Sequence, residues 1–325
     1  MVYSQSGFRY VDAINSRDIV ICLIEYLRML TIAIPDSVPA DLQNTLKYAI
    51  APRPICLAST IDGDGNVNLS PFSFFNIFST NKPLCIFSPV RRERDRSTKH
   101  SLENVLQVPE CVINIVNYDI VHQQSLASVE YGKGVDEFKK SGLTPLASRL
   151  VKPPRVAESP VQLECVVNEV ITFSDQGGSA NLIVAEIKLM HINEAILDEN
   201  GQIDQAKIDL VARLGGDWYC RVTADNLFKV PKPNRHIGIG VDAIPYSIRN
   251  STILTGNNLG QLGNISVLPT DDVVEAYAQN PEVKEILDAT IGDERTRDIQ
   301  LHLKAKELLD QHRVDEAWMV LLAGL

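Results

Sequence analysis

The chain has 325 residues, 45% hydrophobic and 22% charged, which is globular usage and excludes a long disordered polymer. A formal net charge of −10 argues against a nucleic-acid partner. The longest apolar run near the start, 19–30, is broken by Glu25 and Arg28 and falls short of the about 20 residues a membrane helix needs, so no membrane segment is expected.

That run lacks the basic leader and small-residue cleavage site of a signal peptide and reads as a buried or partner-packed helix. Met29 opens a stretch that reads well as a protein start, so residues 1–28 are expected to be an optional or misassigned extension. Residues 39–48 have helical spacing. From Pro54 the texture becomes short Val-, Ile-, Phe- and Cys-rich runs separated by turn signals, which predicts strands at 55–60, 66–69, 72–78, 84–88, 112–116, 161–173 and 182–192. Asp62-Gly63-Asp64-Gly65 predicts a hairpin turn, and Gln176-Gly177-Gly178-Ser179 a second hairpin with arms of about ten residues. Helices are expected at 97–107, behind Ser/Thr caps, at 120–128, and at 135–141, closing on Gly142. A further helix is expected at 203–214, closing on Gly215-Gly216. Residues 223–270 are Pro-, Gly- and Asn-rich without periodicity. The rest reads as three helices, 271–279, 281–289 and 294 to about 322, in a segment with thirteen Asp/Glu against six Lys/Arg. Short non-adjacent strands with inserted helices point to an α+β, mainly β, barrel rather than a doubly wound sheet. The domain reading is an N-terminal extension 1–34, a barrel domain 35–222 and a C-terminal extension 223–325, irregular and then helical.

The six cysteines, Cys22, Cys56, Cys85, Cys111, Cys165 and Cys220, form no C-x-x-C pair. They read as reduced, buried thiols of a cytoplasmic protein, not a disulfide framework or metal site.

Five blocks in register carry a resemblance. They are Ala51-Pro-Arg-Pro-Ile-Cys-Leu-Ala-Ser-Thr60 with its turn and Asn68-Leu-Ser-Pro-Phe-Ser-Phe-Phe-Asn76; Thr98-Lys-His-Ser-Leu-Glu-Asn104; Pro160-Val-Gln-Leu-Glu-Cys165; and Arg213-Leu-Gly-Gly-Asp-Trp-Tyr219. Between about Ala51 and Val222 the chain resembles the flavin reductase-like, FMN-binding split-barrel family. The resemblance implies a six-stranded Greek-key split barrel, a homodimer with FMN near the subunit interface, and an oxidoreductase passing hydride from NADH or NADPH to flavin N5. The alternative is a non-enzymatic carrier that holds FMN and serves a redox partner protein. A third reading makes the acidic helical tail an interaction module.

FMN needs a home for its phosphate, an apolar bed, and hydrogen bonds to the pyrimidine edge of its ring. For the phosphate, Arg91, Arg92, Arg94, Arg96 and Lys99 cluster with Ser97, Thr98 and Ser101 at a predicted helix start, where free N–H groups favour anions. Charge alone leaves a solvated loop as the alternative, since Glu93 and Asp95 partly neutralise it. The family often shows Lys-Asp-Thr where this chain has Lys99-His100-Ser101. For the ring, Asn68, Ser70, Pro71, Phe72, Ser73, Phe74 and Asn76 are the candidates. Pro71 removes a ladder donor and favours an edge or bulge, and Ser70, Ser73 and Asn76 add polar groups. Phe72, Phe74 and Phe75 supply either the bed or core. Arg53 reaches phosphate or a partner subunit. Glu164 and Cys165 read as packing, and Trp218 and Tyr219 as site rim or core. His122 reads as a structural histidine. Gly238-Ile-Gly240-Val-Asp-Ala243 fits G-x-G-x-x-A, but no strand precedes it, Pro245 blocks the helix, and no acid follows about 20 residues on, so a dinucleotide fold is rejected.

Overall fold

The computed structural model describes residues 30–34, 39–233 and 237–325, so the expectations for 1–28, Cys22 and the 19–30 helix lie outside, except at Leu30. The chain divides into two compact units between Leu227 and Phe228.

The first unit opens with helix α1 (Pro39–Ala49), then strands β1 (Arg53–Pro54), β2 (Cys56–Ile61), β3 (Val67–Phe72), β4 (Phe75–Ser79) and β5 (Leu84–Phe87). Helix α2 (His100–Gln107), β6 (Glu110–Ile115), α3 (Val121–Leu126), α4 (Glu137–Ser141) and the short β7 (Pro145–Leu146) and β8 (Arg155–Val156) follow. The long hairpin β9 (Val161–Thr172) and β10 (Asn181–Ile192) precedes β11 (Val211–Arg213) and β12 (Tyr219–Arg221). The main sheet is antiparallel in the order β3-β2-β6-β9-β10-β5-β4, and a second sheet runs β1-β11-β12.

The sheet is the expected split barrel, with one difference. The run predicted as a strand over 72–78 breaks at Ser73-Phe74, so β3 and β4 lie at opposite edges of one curled sheet, which has the seven strands predicted from the runs where the resemblance implies six. Period two sorts the layers: Cys56 and Ala58 of β2 face the barrel interior with Phe72, Cys85, Phe87, Cys111, Ile113, Cys165 and Ile183, while Ile55 and Leu57 face an outer layer with Leu69, Val116, Phe138 and Val156. Cys56, Cys85, Cys111, Cys165 and Cys220 are free, and the first four are buried. The Asp62 carboxylate accepts the Asp64 and Asn66 N–H groups at 3.0 and 2.8 Å and Gly65 sits at φ 90°, closing the predicted β2–β3 turn. Gly142 ends α4 in the left-handed region, φ 70°.

The helix expected at 203–214 is absent. Asp204 Oδ1 accepts the Ala206 and Lys207 N–H groups in a local turn, Asp209 lies at φ 53°, and Val211–Arg213 is spent as β11.

The second unit is helical: α5 (Tyr246–Arg249), α6 (Gly256–Leu262), α7 (Asp271–Tyr277), α8 (Pro281–Ala289), α9 (Glu294–Asp310) and α10 (Val314–Leu322). Two of these lie in the stretch read as irregular. The single long helix expected from 294 divides at His312, which takes φ 60° while His312 and Arg313 N–H donate to Leu309 and Leu308 C=O. Trp318 is fully buried among Leu262, Leu301 and Leu309, and its indole N–H donates to Leu262 C=O at 3.1 Å. Gly238 and Gly240 are packing glycines; a Cβ on Gly238 would lie 2.6 Å from the Gly263 carbonyl oxygen, and only a 3₁₀ turn (Val241–Ala243) follows.

Candidate functional site

β3 is an edge strand, which explains its composition. The outward-facing Leu69 N–H donates to Glu137 Oε2 at 3.2 Å, and Pro71 shares that register, so its missing donor breaks no ladder bond. Next in the same register comes Ser73, in the break between β3 and β4. Its backbone N–H has no protein acceptor among the described residues.

Beside this edge lies α2. Asn68 Nδ2 donates to the fully buried Ser101 Oγ at 2.9 Å and approaches Ser70 Oγ at 3.5 Å. Asn104 Nδ2 bonds Thr60 Oγ1 at 3.2 Å, fixing the helix on β2. Lys99 occupies the N-cap with no side-chain cap bond, so the first turn of α2 keeps donors for an anion. The Lys99 ammonium lies 5.6 Å from the Phe72 ring centre and has no carboxylate within ion-pair distance among the described residues. Burial holds it below the usual lysine value; Glu130 opposes and Arg92 reinforces that shift.

The basic loop is more committed than its charge suggests. Arg92 donates to Glu130 at 3.0 Å, Ser97 Oγ at 2.9 Å and the Thr98 carbonyl, and Thr98 Oγ1 donates to Glu103 at 2.6 Å. Arg94 and Arg96 are exposed. Arg91 donates through one terminal nitrogen to the Arg96 carbonyl at 3.2 Å, while its buried Nε has no partner. The β9–β10 turn clamps this loop, with Arg91 N–H to Ser179 C=O and Gly178 N–H to Arg91 C=O, both 3.0 Å. Gly177 permits the approach, because a Cβ there would lie 2.8 Å from Glu93 Cα.

The predicted residues therefore divide. Asn68, Ser70, Pro71, Lys99 and Ser101 gather along the β3 edge and the start of α2, with Thr98 and Arg92 bracing the loop behind. Phe72 is core, its ring centre 5.1 Å from that of Phe87. Phe74 is 43% exposed and lines a different cleft, of about 650 Å³, against α1. Asn76 is exposed, its Oδ1 accepting Ile77 N–H at 2.8 Å. Arg53 caps α1, donating to the Lys47, Ile50 and Leu214 carbonyls at 2.6, 2.7 and 2.9 Å, and comes within 3.5 Å of Ser73 Oγ. Glu164 is structural, as expected. Glu130 and Glu137 carried no sequence signal; each reaches the site from a distant segment.

Among the described residues, the buried Arg91 Nε without an acceptor, the Lys99 ammonium without a carboxylate and the uncapped start of α2 fit a phosphate, and the Ser73 N–H without an acceptor fits a ring acceptor. Among the described residues no group of His, Cys, Asp and Glu is arranged to hold a metal ion, and no helix is long and apolar enough to cross a membrane.

Residues 48–207 match the family model described as the flavin reductase like domain. Over 181 residues, 56% of this chain and 90% of the other, the chain is 35% identical to an uncharacterized protein of Aquifex aeolicus. A split-barrel protein of Shewanella frigidimarina NCIMB 400 whose structure is described under the heading of a flavin reductase is similar at 26% identity and TM-score 0.54, covering 63% of this chain and 100% of that one. The 2-nitrobenzoate 2-nitroreductase of Pseudomonas fluorescens is similar at 25% identity and TM-score 0.55, covering 62% and 96%.

Proposed function

The chain belongs to the flavin reductase-like family, and from that premise we propose that it is an FMN-binding oxidoreductase that draws hydride from NADH or NADPH. The observation that carries the reading is Lys99, a desolvated ammonium without an ion-pair partner among the described residues, at the uncapped start of α2. A phosphate there restores a counter-charge that the fold leaves out. When bound, the flavin supplies the redox chemistry, and the protein supplies placement and electrostatics.

Lys99, Ser101 and the first N–H groups of α2 hold the phosphate, and Arg91 backs them. Asn68 ties Ser101 to β3, so the phosphate end and the ring end are set by one rigid corner. Glu137 occupies the Leu69 N–H and Pro71 offers none, which leaves Ser73 as the next outward backbone donor along the edge. Ser70 adds a hydroxyl beside it. Support for a homodimer comes from β4, an edge strand whose Ile77 and Phe78 are 55% and 64% exposed.

The test is a titration of the purified protein with FMN, followed by anaerobic addition of NADH and of NADPH. Saturable FMN binding and loss of the oxidised flavin's visible absorbance on adding a nicotinamide are expected. Absence of FMN affinity removes the reading, and FMN binding without reduction by either nicotinamide removes its enzymatic half.

A further inference from the structure

A second cleft of about 450 Å³ opens on the β11–β12 face beside α3. Because Val211 pairs with Arg221 and Arg213 with Tyr219, these four side chains share one face of the hairpin. Each arginine lies over a tyrosine: the Arg213 guanidinium is 4.5 Å from the Tyr219 ring centre, and the Arg221 guanidinium 3.7 Å from that of Tyr118. The two arginines sit diagonally on adjacent strands, two residues apart in register, with roughly 7–8 Å between their positions.

The charges in the cleft are unequal. Arg221 is neutralised by Asp209 in a two-point pair, both bonds 2.7 Å. Arg213 donates to the Gly216 carbonyl, and its carboxylate partner Asp217, at 3.9 Å on a fully exposed side chain, is a pairing worth little in water. His122, exposed on α3, also lines the cleft and makes no hydrogen bond among the described residues. One weakly compensated positive charge beside flat walls suits one negative charge on a flat ring, and is too little for a phosphate dianion.

We propose that this cleft binds a small planar aromatic monoanion, an aryl carboxylate, with Arg213 taking the carboxylate and the arginine–tyrosine stacks taking the ring. The site is distinct from the β3–α2 corner and does not depend on the flavin reading.

The experiment is ligand-observed NMR and calorimetry on the full chain with benzoate, benzamide and cyclohexanecarboxylate. Benzoate is expected to bind saturably at one site, with the other two at least tenfold weaker. Arg213→Gln is expected to weaken benzoate at least tenfold while leaving FMN affinity and the circular dichroism spectrum unchanged. Tyr219→Leu weakens it independently, and serves should Arg213→Gln fail to fold. The proposal is overturned by no saturable benzoate binding, by benzamide binding equally well, by unchanged affinity in folded Arg213→Gln, or by displacement of benzoate with FMN.

Discussion

Lys99 and Glu164 show how opposite uses of a buried charge are told apart by counting partners. Lys99 has no carboxylate within ion-pair distance among the described residues, and in the proposed reading its charge is held for a ligand. Lys99→Gln is expected to weaken FMN about 10- to 100-fold, the worth of one charged hydrogen bond, with the melting temperature unchanged; fluorescence titration and a thermal scan measure both. Binding an anion raises the depressed Lys99 pKa, so FMN affinity falls as pH climbs through the unbound value, earlier than an ordinary lysine would cause. An affinity flat across the alkaline range would remove Lys99 from the site. Glu164 is the reverse case. Fully buried, it accepts N–H groups from Arg149, Leu150 and Val151 at 2.9, 2.6 and 3.3 Å and faces His191 Nε2 at 2.7 Å. Burial pushes its pKa up, but those donors together outweigh burial and hold it below the usual value. A carboxyl depressed on folding contributes stability above its unfolded pKa and loses it as pH falls through the folded one. Glu164→Ala is expected to cost about 3–5 kcal/mol in urea unfolding at neutral pH, with the gap to wild type narrowing in acid. Glu164 was legible as structural because it sits in a long strand. Glu137 was not, because its partner Leu69 is 68 residues away in sequence.

Among the elements, those with a clean period and a turn at each end were legible. The Asp62–Gly65 turn fixed β2 and β3, and the Gln176–Ser179 turn fixed β9 and β10. What failed lacked such marks: residues 203–214 carry apolar spacing that suits a helix, yet Asp204 and Asp209 bend the backbone locally before β11 pairs with β1. The break at Ser73 was half legible, since Pro71 announced an edge but not that the chain crosses to the opposite one. Glycine substitutions separate the elements that matter here. Gly177→Ala forces a Cβ to 2.8 Å from Glu93 Cα, lifts the hairpin tip from the loop bearing Arg91, and is expected to cost about 1–3 kcal/mol. It should weaken FMN as well. Gly260→Ala, inside α6 with nothing within 4 Å, is expected to gain up to about 1 kcal/mol and leave FMN binding alone. Chemical denaturation of both variants checks the opposite signs.

At the scale of the molecule, the two units enclose separate cores, and every residue packed with Trp318 lies in the second. The family model ends at residue 207, so the helical unit is additional to the domain that carries the proposed flavin residues. The chain holds two tryptophans, Trp218 at 70% exposure in the first unit and Trp318 fully buried in the second. Trp218→Phe therefore leaves one buried reporter of the helical core at little structural expense. A ligand that binds only the first unit stabilises only the first, by about 2.7 kcal/mol at a hundredfold excess over Kd. FMN is thus expected to raise the denaturant midpoint of the unit that holds it, followed by release of the flavin, and to leave the Trp318 emission transition where it stands without FMN. Two transitions, one moved and one fixed, would establish the helices as a separately folding attachment. A single transition that FMN moves as a whole would make them part of one cooperative body, and the ligand's stabilisation would then reach Trp318.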